Sequence, residues 1–598
     1  MELGTSNSQV VYLLRSVAAS YTLRGVDRFR IIAYERAADV IDHLGGELHD
    51  LWQAGSLTNI EGIGKILTER LDDYFKNGNK SFLVMEYSKT PATVYQLMQV
   101  PGIGAKTAYK LISEFHIENS MSILKDIKKI AEQNKIAPLP GFGTKSQADI
   151  LSSLKTTQTK IFETKRLRID QADSVFQSMI EYLQENPKVI KIYPVGSLRR
   201  NSPTIGDVDI VAVCHDDDSS GVIKYFIDHP QTSIIEGKGE HKGAIILNTG
   251  IKVQLRTISP DKLGAMLQYN TGSKEHNIKL REYALRRGYS LSEYGITTLE
   301  NRKVHKEINM KYFSTEEKFY NFLGLQYIPP EIRVGKNEIE LASKKKILKL
   351  VEINDIKGDL QMHSSYPIEP SHDLGADSYQ DLLTEANKLK YEYVAFTDHN
   401  PSNGNHTDAQ IISILKTRFE HIKTTLSKNK QRTQYYISLE VDIRPDGTLA
   451  IPYEGLKYVD FILMSIHSSF SQKRADMTKR ILTAMQFPKV KIFAHPTTRL
   501  VGSRDEIDAD WNMIFKEAKA KGIALEINGA PERLDLPDNL IIKAHAYGCK
   551  FSLGTDSHQK KQLKNMKYAV SMARRGGLQK SDIINTMDYL SVKNYLLK

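Results

Sequence analysis

Histidine and carboxylate residues in the C-terminal part of the chain each follow a short apolar segment. They are His363, His399, Glu440, His467, His495, Asp556 and His558. Neutral imidazoles and carboxylates are ligands that zinc, manganese and iron take in proteins, and two such cations can share one site. A cation pair of this kind activates water for in-line attack on phosphorus. The pattern therefore predicts metal-dependent phosphoester hydrolysis, with His467 as a catalytic residue.

The apolar segments in this region are predicted strands, and helical patterns separate them. We predict strands at 393–396, 435–439, 461–466, 491–494, 524–527 and 550–553. Strands that alternate with helices indicate a parallel α/β barrel, whose catalytic residues lie at the carboxyl ends of the strands. We therefore expect the seven side chains to meet at one end of a barrel.

A second group of chemically active residues lies about one third of the way along the chain. Apolar residues typical of a strand flank Asp207 and Asp209, and alternation places both carboxylates on one face, where they can hold divalent cations. Upstream, Gly196-Ser197 predicts a turn with N–H and hydroxyl donors for phosphate, and Arg200 adds positive charge. The arrangement resembles the nucleotidyltransferase superfamily and makes both aspartates candidate catalytic residues.

Three segments near the N-terminus share an apolar–x–Gly–apolar–Gly core followed closely by a lysine. Their glycines and lysines are Gly62, Gly64 and Lys65; Gly102, Gly104 and Lys106; and Gly141, Gly143 and Lys145. Each segment lies between helical patterns, so we expect a tight hairpin whose glycines allow positive φ and whose helix N-terminus faces a phosphate. The repeats resemble helix-hairpin-helix motifs, which bind the DNA backbone without reading base sequence.

Residues 269–277, followed by Arg281, make the resemblance specific. Nearly the whole chain resembles a bacterial family X DNA polymerase with a C-terminal polymerase and histidinol phosphatase (PHP) domain. The resemblance implies a multidomain α and α/β fold that ends in a distorted (β/α)7 PHP barrel. The implied domains are an N-terminal helix-hairpin-helix DNA-binding domain (1–85), a fingers-like helix-hairpin-helix domain (86–160), a nucleotidyltransferase palm (161–258), a thumb (259–328), a linker (329–352) and a PHP metallophosphoesterase domain (353–598).

The same resemblance assigns roles to individual residues and names the ligands. The incoming deoxynucleoside triphosphate would be held by Ser197, Arg200 and Gly206, and the nascent base pair and minor groove would be lined by Tyr269, Gly272, Asn277 and Arg281. Mg²⁺ or Mn²⁺ would bind in the palm, and two or three divalent cations (Mn²⁺, Zn²⁺ or Fe²⁺) would bind in the PHP site. The implied activities are template-directed DNA polymerisation and 3′→5′ exonuclease action in repair of gapped or end-containing DNA.

One departure from the family pattern bears directly on polymerisation. Gln254 occupies the position of the third catalytic carboxylate. Two-metal phosphoryl transfer needs anionic ligands to retain the cation that activates the primer hydroxyl. A neutral amide supplies no charge, so we expect that cation to bind poorly and polymerisation to be weak or absent. The loss corresponds to a factor of about a thousand or more in rate.

Other departures concern the sugar lyase, sugar discrimination and the PHP metals. Arg70 falls near the position of a Schiff-base lysine, and a guanidinium that stays protonated cannot act as an amine nucleophile. Asn270 replaces an aromatic residue of the family. In the PHP domain Gln361 replaces the first histidine of a His-x-His motif, and an insertion displaces the usual aspartate, so that Asp373 is the predicted ligand. We expect hydrolysis to survive these changes better than polymerisation does.

Composition limits the class of protein. The 598 residues are 40% hydrophobic and 26% charged, as in large globular proteins, and no apolar segment approaches the roughly 18–20 residues of a membrane span. Two cysteines exclude a disulfide framework and favour a cytoplasmic location, and the net charge of +11 permits a nucleic-acid partner. Two alternatives stay open: a polymerase-deficient DNA-binding scaffold with a PHP nuclease, and a PHP phosphatase that acts on a small phosphomonoester.

Overall fold

The structure is a computed structural model, and it divides the chain into two compact units. It describes residues 7–42, 48–53, 57–60, 63–98, 100, 103–117, 123–151, 166–300, 310–427 and 432–597. The units are Met1–Lys165 and Arg166–Lys598. Among the helices of the described residues, none combines the length and apolar character needed to cross a membrane.

The first unit is helical and has two separate apolar cores. One core draws on residues between 10 and 84, and the other on residues between 94 and 150. The helices are Asn7–Leu23, Arg28–Asp42, Leu48–Gln53, Lys65–Asn77, Phe82–Tyr87, Ala92–Leu97, Ala105–Glu114 and Ile123–Glu132, with further helical residues at 144–151.

The predicted hairpins place glycine at helix N-termini, but not with the expected backbone. Gly64 and Gly104 are the N-caps of the helices that begin at Lys65 and Ala105, and both have extended backbone with negative φ. Among the glycines of the three motifs that the structure describes, only Gly141 has positive φ. A Cβ at Gly64 or Gly104 would meet no atom within 4 Å, so the space in front of each N-terminus is open.

The lysines of the three motifs, Lys65, Lys106 and Lys145, are all exposed to solvent. Gly62 and Gly102 lie outside the described residues.

The strands at the start of the second unit are β1 (Leu167–Arg168), β2 (Lys191–Pro194), β3 (Thr204–Ile205), β4 (Val208–Val213), β5 (Thr232–Lys238), β6 (Lys242–Leu247) and β7 (Lys252–Ile258). Five of them form a mixed sheet in the order β2-β4-β7-β6-β5. Its helices are Ile169–Gln184, Gly196–Arg199 and Ser219–Ile227. Strands β4 and β7 are parallel neighbours, which places Asp209 opposite Gln254.

A helical region with one hairpin follows this sheet and has its own apolar core. Arg333, which belongs to the predicted linker, is fully buried and pairs with Glu316 at 2.7 Å, so part of that segment packs within this region. The elements are the helices Leu263–Thr271, Lys274–Leu285, Glu316–Phe322 and Glu338–Ser343 and the strands β8 (Tyr289–Leu291) and β9 (Ile296–Thr298).

The C-terminal region is a closed barrel of parallel strands, which confirms the predicted (β/α)7 fold. Ser438 interrupts one predicted strand and divides it into β12 and β13, so that seven passes of the chain close the barrel. Isolated bridges His399–Glu440 and Met362–Ser557 join the two halves. The strands are β10 (Gly358–Met362), β11 (Tyr393–Phe396), β12 (Gln434–Ile437), β13 (Leu439–Asp442), β14 (Ile462–Ser465), β15 (Val490–Phe493), β16 (Ala524–Asn528) and β17 (Phe551–Gly554).

Helices surround the barrel. They are Tyr379–Lys388, Asp408–Leu426, Arg474–Ala484, Trp511–Lys521, Asp538–Ala546, Met566–Arg575 and Tyr589–Leu597.

The mixed sheet and the barrel share one buried apolar cluster. The barrel helix Met566–Arg575 also makes polar contacts across this junction. Two nitrogens of Arg574 donate to the two carboxylate oxygens of Glu331. Tyr568 donates to Asp173 at 3.2 Å, and Arg575 Nη1 donates to the Arg200 carbonyl oxygen at 3.0 Å. The two halves of this unit are therefore one packed body.

Candidate functional site

The mixed sheet brings Asp207, Asp209 and Gln254 together, and these three residues are named the palm site. Asp207 directly precedes β4, and Asp209 is its second residue. The Gln254 Nε2 donates a hydrogen bond to Asp207 Oδ2 at 2.6 Å. The amide thus occupies a carboxylate oxygen that would otherwise be free to face a cation.

Gly196 lies against Asp209 so closely that no side chain fits between them. Its φ is +60°, and a Cβ there would lie 2.4 Å from Asp209 Oδ2. Burial, followed by the charge of Asp207, raises the pKa of Asp209 to about 7. The palm site therefore resists full ionisation unless a cation or another positive group offsets the two carboxylate charges.

Most of the residues predicted to hold the nucleotide lie close together. Arg200 Nη1 donates to the Thr271 carbonyl oxygen and lies 3.2 Å from where a Cβ of Gly272 would be. Asn277 Nδ2 donates to the Tyr269 carbonyl oxygen at 2.8 Å. Arg200 is thus held against the same helix end that presents Tyr269.

The remaining predicted nucleotide contacts lie on neighbouring elements. The Arg281 guanidinium lies 5.3 Å from the centroid of the Tyr269 ring. Ser197 lies in the short helix Gly196–Arg199, and Gly206 lies between β3 and Asp207.

Two departures from the family pattern have structural counterparts. Asn270 Nδ2 donates to the Met266 carbonyl oxygen of its own helix at 3.0 Å. The Arg70 guanidinium lies 3.7 Å from the centroid of the Phe82 ring, an arrangement that keeps the cation packed on an aromatic face. That sugar-lyase activity is absent stays a prediction.

The barrel gathers all eight residues predicted as its metal ligands, and this group is named the barrel centre. Glu440 lies in the middle, fully buried. Its Oε1 is 2.8 Å from His495 Nε2 and 3.4 Å from His467 Nε2, and its Oε2 is 3.3 Å from His363 Nε2 and 3.6 Å from His399 Nδ1. Burial alone would raise the pKa of Glu440, but the imidazoles, His399 and His495 foremost, hold it well below its usual value.

The other members extend the barrel centre on both sides of Glu440. Asp556 Oδ1 lies 3.1 Å from His363 Nε2, and Asp556 Oδ2 lies 3.3 Å from Arg533 Nε. Asp373, whose side chain is exposed, lies 3.7 Å from His399 Nε2 and 3.4 Å from His558 Nε2.

Gln361 takes a defined place in this arrangement. It is fully buried at the end of β10, and its Nε2 donates to Glu440 Oε2 at 3.0 Å. An imidazole at this position could be a ligand, whereas the amide binds the central carboxylate by a hydrogen bond. The expectation that one cation is weakly held stays a prediction.

The donor set of the barrel centre fits divalent cations. The buried nitrogens His399 Nδ1, His495 Nδ1 and His558 Nε2 make no hydrogen bond within the part of the chain that the structure describes. Buried polar atoms without partners are rare, and a metal ion would satisfy them. Three-residue groups with ligand atoms within 4.8 Å of one another include His363, His399 and His558; His399, Glu440 and His467; and His363, Glu440 and Asp556.

Sequence reasoning missed His372 and Asp442, which lie at the mouth of the barrel. Asp442 Oδ1 is 2.7 Å from His467 Nδ1, and His372 Nε2 is 3.2 Å from both Asp442 oxygens. The spacing Glu440-x-Asp442 on one strand, the same as that of Asp207 and Asp209, is a signal that could have identified Asp442. His372 lies in a loop with no periodic pattern.

Comparison with protein families finds three matching segments. The family model of the helix-hairpin-helix domain matches residues 5–80, that of the DNA polymerase beta thumb matches residues 266–334, and that of the PHP domain matches residues 359–530.

One relative aligns with nearly the whole chain, and another aligns with about half of it. The chain is 31% identical over 599 aligned residues to "DNA polymerase/3'-5' exonuclease PolX" of Bacillus subtilis (strain 168), with 98% of both proteins covered. It is 22% identical over 353 residues to DNA polymerase lambda of Rattus norvegicus, covering 55% of this chain and 56% of that protein.

Solved structures of Leishmania infantum polymerase beta, as ternary primer–template and gap complexes, also match. Their sequence identities are 19% and 18%, and both TM-scores are 0.28. They cover 41% and 43% of this chain and 99% and 96% of theirs. The full-length match to the Bacillus protein and the three domain matches show that this chain belongs to the bacterial family X DNA polymerases with a C-terminal PHP domain.

Proposed function

We propose that this chain is a DNA-repair enzyme that hydrolyses phosphodiester bonds from 3′ ends in its PHP barrel and fills gaps only weakly in its palm. The contrast between the two sites carries the proposal. In the palm site Gln254 donates to one of two carboxylates, whereas eight candidate ligands converge on the barrel centre. Membership in the bacterial family X DNA polymerases supports a polymerase-like role in DNA repair.

In the palm, the residues present favour binding of a nucleotide over its transfer. Asp207 shares an oxygen with the Gln254 amide, and the raised pKa of Asp209 lets it keep a proton to about pH 7. Mg²⁺ or Mn²⁺, when bound, would neutralise phosphate charge. Because only two carboxylates can attract these cations, we expect slow primer extension.

In the barrel, the chain supplies a pocket of imidazoles and carboxylates open to solvent on one side. Divalent cations, when bound there, supply an activated water nucleophile and neutralise phosphate charge. Glu440 presents its two oxygens to different pairs of histidines, and Arg533 offsets the charge of Asp556. The exposed Asp373 marks the side from which a DNA end would enter.

The first unit would bind the DNA backbone. Lys65, Lys106 and Lys145 are exposed, and the first two lie at or near helix N-termini with open space in front of the capping glycine. Backbone N–H groups at a helix N-terminus and lysine side chains together favour phosphate. The DNA bound in this way would be gapped or end-containing, and its base sequence would not be read. The six-domain division is likewise part of this proposal, except that the start of the predicted linker 329–352 packs with the thumb.

The proposal is tested with a labelled oligonucleotide duplex and a small phosphomonoester, p-nitrophenyl phosphate. We expect Mn²⁺-dependent shortening of DNA from the 3′ end, little phosphomonoester hydrolysis, and loss of both signals in His467→Ala. His545→Ala, on an outer helix of the barrel, is the matched control because its side chain pairs with Asp582 outside the barrel centre.

Three results would change the assignment. Undiminished digestion by His467→Ala would remove that residue from the site. Rapid phosphomonoester hydrolysis without DNA digestion would favour a phosphatase. Digestion combined with no detectable primer extension would identify a polymerase-deficient nuclease scaffold.

A further inference from the structure

We propose that His372, Asp442 and His467 form an additional divalent metal site at the mouth of the barrel. This mouth site shares His467 with the barrel centre and takes a transition-metal cation such as Mn²⁺ or Zn²⁺. The inference deepens the proposed nuclease function and rests on it for its biological role.

The three side chains converge in a way that fits a cation. His372 Nε2 lies 3.2 Å from both oxygens of Asp442, and His467 Nδ1 lies 2.7 Å from Asp442 Oδ1. One ligand atom from each residue lies within 4.8 Å of the others. Two imidazoles and one carboxylate are the donor set of metal sites that keep open coordination positions.

The charge around Asp442 supports a metal site over a simple ion pair. Among the described residues, the ion-pair partners of Asp442 are the two imidazoles, and no lysine or arginine nitrogen pairs with it. The neighbouring Arg480 directs its guanidinium to the carbonyl oxygens of Ile443 and Ser468. The carboxylate charge is thus presented to the space between two rings whose centroids lie 4.2 Å apart.

The mouth site would also offset the loss of an imidazole at position 361 of the barrel centre. Gln361 leaves His363, Glu440 and Asp556 as a three-residue group in the interior. The segment 367–371, interpreted as an insertion, carries His372 to the mouth, with its ring centroid 5.2 Å from that of His399. A cation bound there would use His467 Nδ1 and leave Glu440 with His363, His399 and His495 in the interior.

The test measures metal content in the full chain. Purified protein is stripped with chelator, reloaded with Mn²⁺ or Zn²⁺, and analysed for bound metal per chain by mass spectrometry. We expect His372→Ala to lose one equivalent, with affinity at that site reduced at least about 100-fold, because a direct ligand contributes more than the outer partners of ligands do. His545→Ala should bind as much metal as the wild type.

Anomalous diffraction from Mn²⁺-loaded crystals tests the same point independently of stoichiometry. We expect a peak flanked by His372, Asp442 and His467. Full metal content in His372→Ala would refute the mouth site, and so would anomalous peaks found only around Glu440. In either case the role of Asp442 would be to orient His467. Those outcomes leave the proposed nuclease function intact, whereas a wild-type protein that binds no metal would refute both.

Discussion

Gln254→Asp should convert the palm into a more active polymerase. The substitution places a third carboxylate opposite Asp209 in the parallel pair β4–β7 and removes the amide hydrogen bond to Asp207. Two-metal phosphoryl transfer gains a charged ligand for the cation that activates the primer hydroxyl. The same change should make the metal-free protein less stable, because three carboxylates then repel one another.

The size of the expected rate increase follows from the negative charge that the substitution adds. Two like charges about 4 Å apart repel by about 4 kcal/mol at an effective dielectric constant of 20, and a bound divalent cation reverses this cost. One well-placed electrostatic contact to the transition state contributes about 100- to 1000-fold in rate. We therefore expect primer extension by Gln254→Asp to exceed that of the wild type by about that factor at saturating Mg²⁺.

The assay follows extension of a labelled primer across a short gap. Both proteins carry Glu440→Gln, so that digestion by the barrel does not mask synthesis. Gln254→Asn is the matched control, because it keeps a neutral amide of smaller size. If Gln254→Asp extends the primer at a rate within a few-fold of the wild type, the missing charge does not limit polymerisation. The same conclusion follows if the wild type extends the primer as fast as a relative with three carboxylates.

Three further predictions concern the metals, the core and pH. Glu440→Gln should reduce bound metal and lower DNA digestion by about 1000-fold or more, while triphosphate binding, measured by calorimetry, stays unchanged. Arg333→Met should lower the free energy of unfolding in urea by about 3 kcal/mol, because the buried Glu316 then keeps only Arg199 of its two arginine partners and the Ile328 carbonyl oxygen loses its donor. Adding Glu316→Leu should recover only part of the loss, because Arg199 then lacks its carboxylate.

The pH prediction in this group follows from Asp209, whose pKa is raised to about 7. Because the folded state holds this proton and the unfolded state does not, the metal-free protein should lose stability as pH rises from about 4 to about 7. Palm affinity for Mn²⁺ should rise by up to about tenfold per pH unit below about pH 7 and level off above it, because the cation must displace this proton. The change is read by calorimetry as the difference between wild type and Asp209→Asn, and a difference that does not depend on pH would contradict it.

Sequence patterns predicted the barrel better than the details of its mouth. Strand β11 occupies the predicted residues 393–396, because a short apolar segment between helical patterns has few alternatives. The predicted strand at 435–439 is instead broken at Ser438, whose hydroxyl donates to the Phe461 carbonyl oxygen at 2.7 Å. His372 was not predicted because a loop has no periodicity from which a partner can be inferred.

Gln254 in the palm also shows what the sequence could predict and what it could not. The sequence identified Gln254 as a missing charge, since a residue type can be compared with a family pattern. It did not predict the hydrogen bond from Gln254 to Asp207, because that contact depends on how two strands distant in the chain align. The chemistry of a side chain can thus be predicted from the sequence. Which polar side chains form hydrogen bonds with one another depends on the register in which the strands align, and the sequence does not give that register.

The helix Met566–Arg575 has a consequence for how the protein can be divided. Since the apolar cluster continues from the mixed sheet into the barrel, a fragment that stops before the barrel would expose that cluster to water and leave Glu331 without Arg574. Within the second unit, the mixed sheet and the barrel should consequently melt in a single cooperative transition, and neither should be freely interchangeable as a module between relatives.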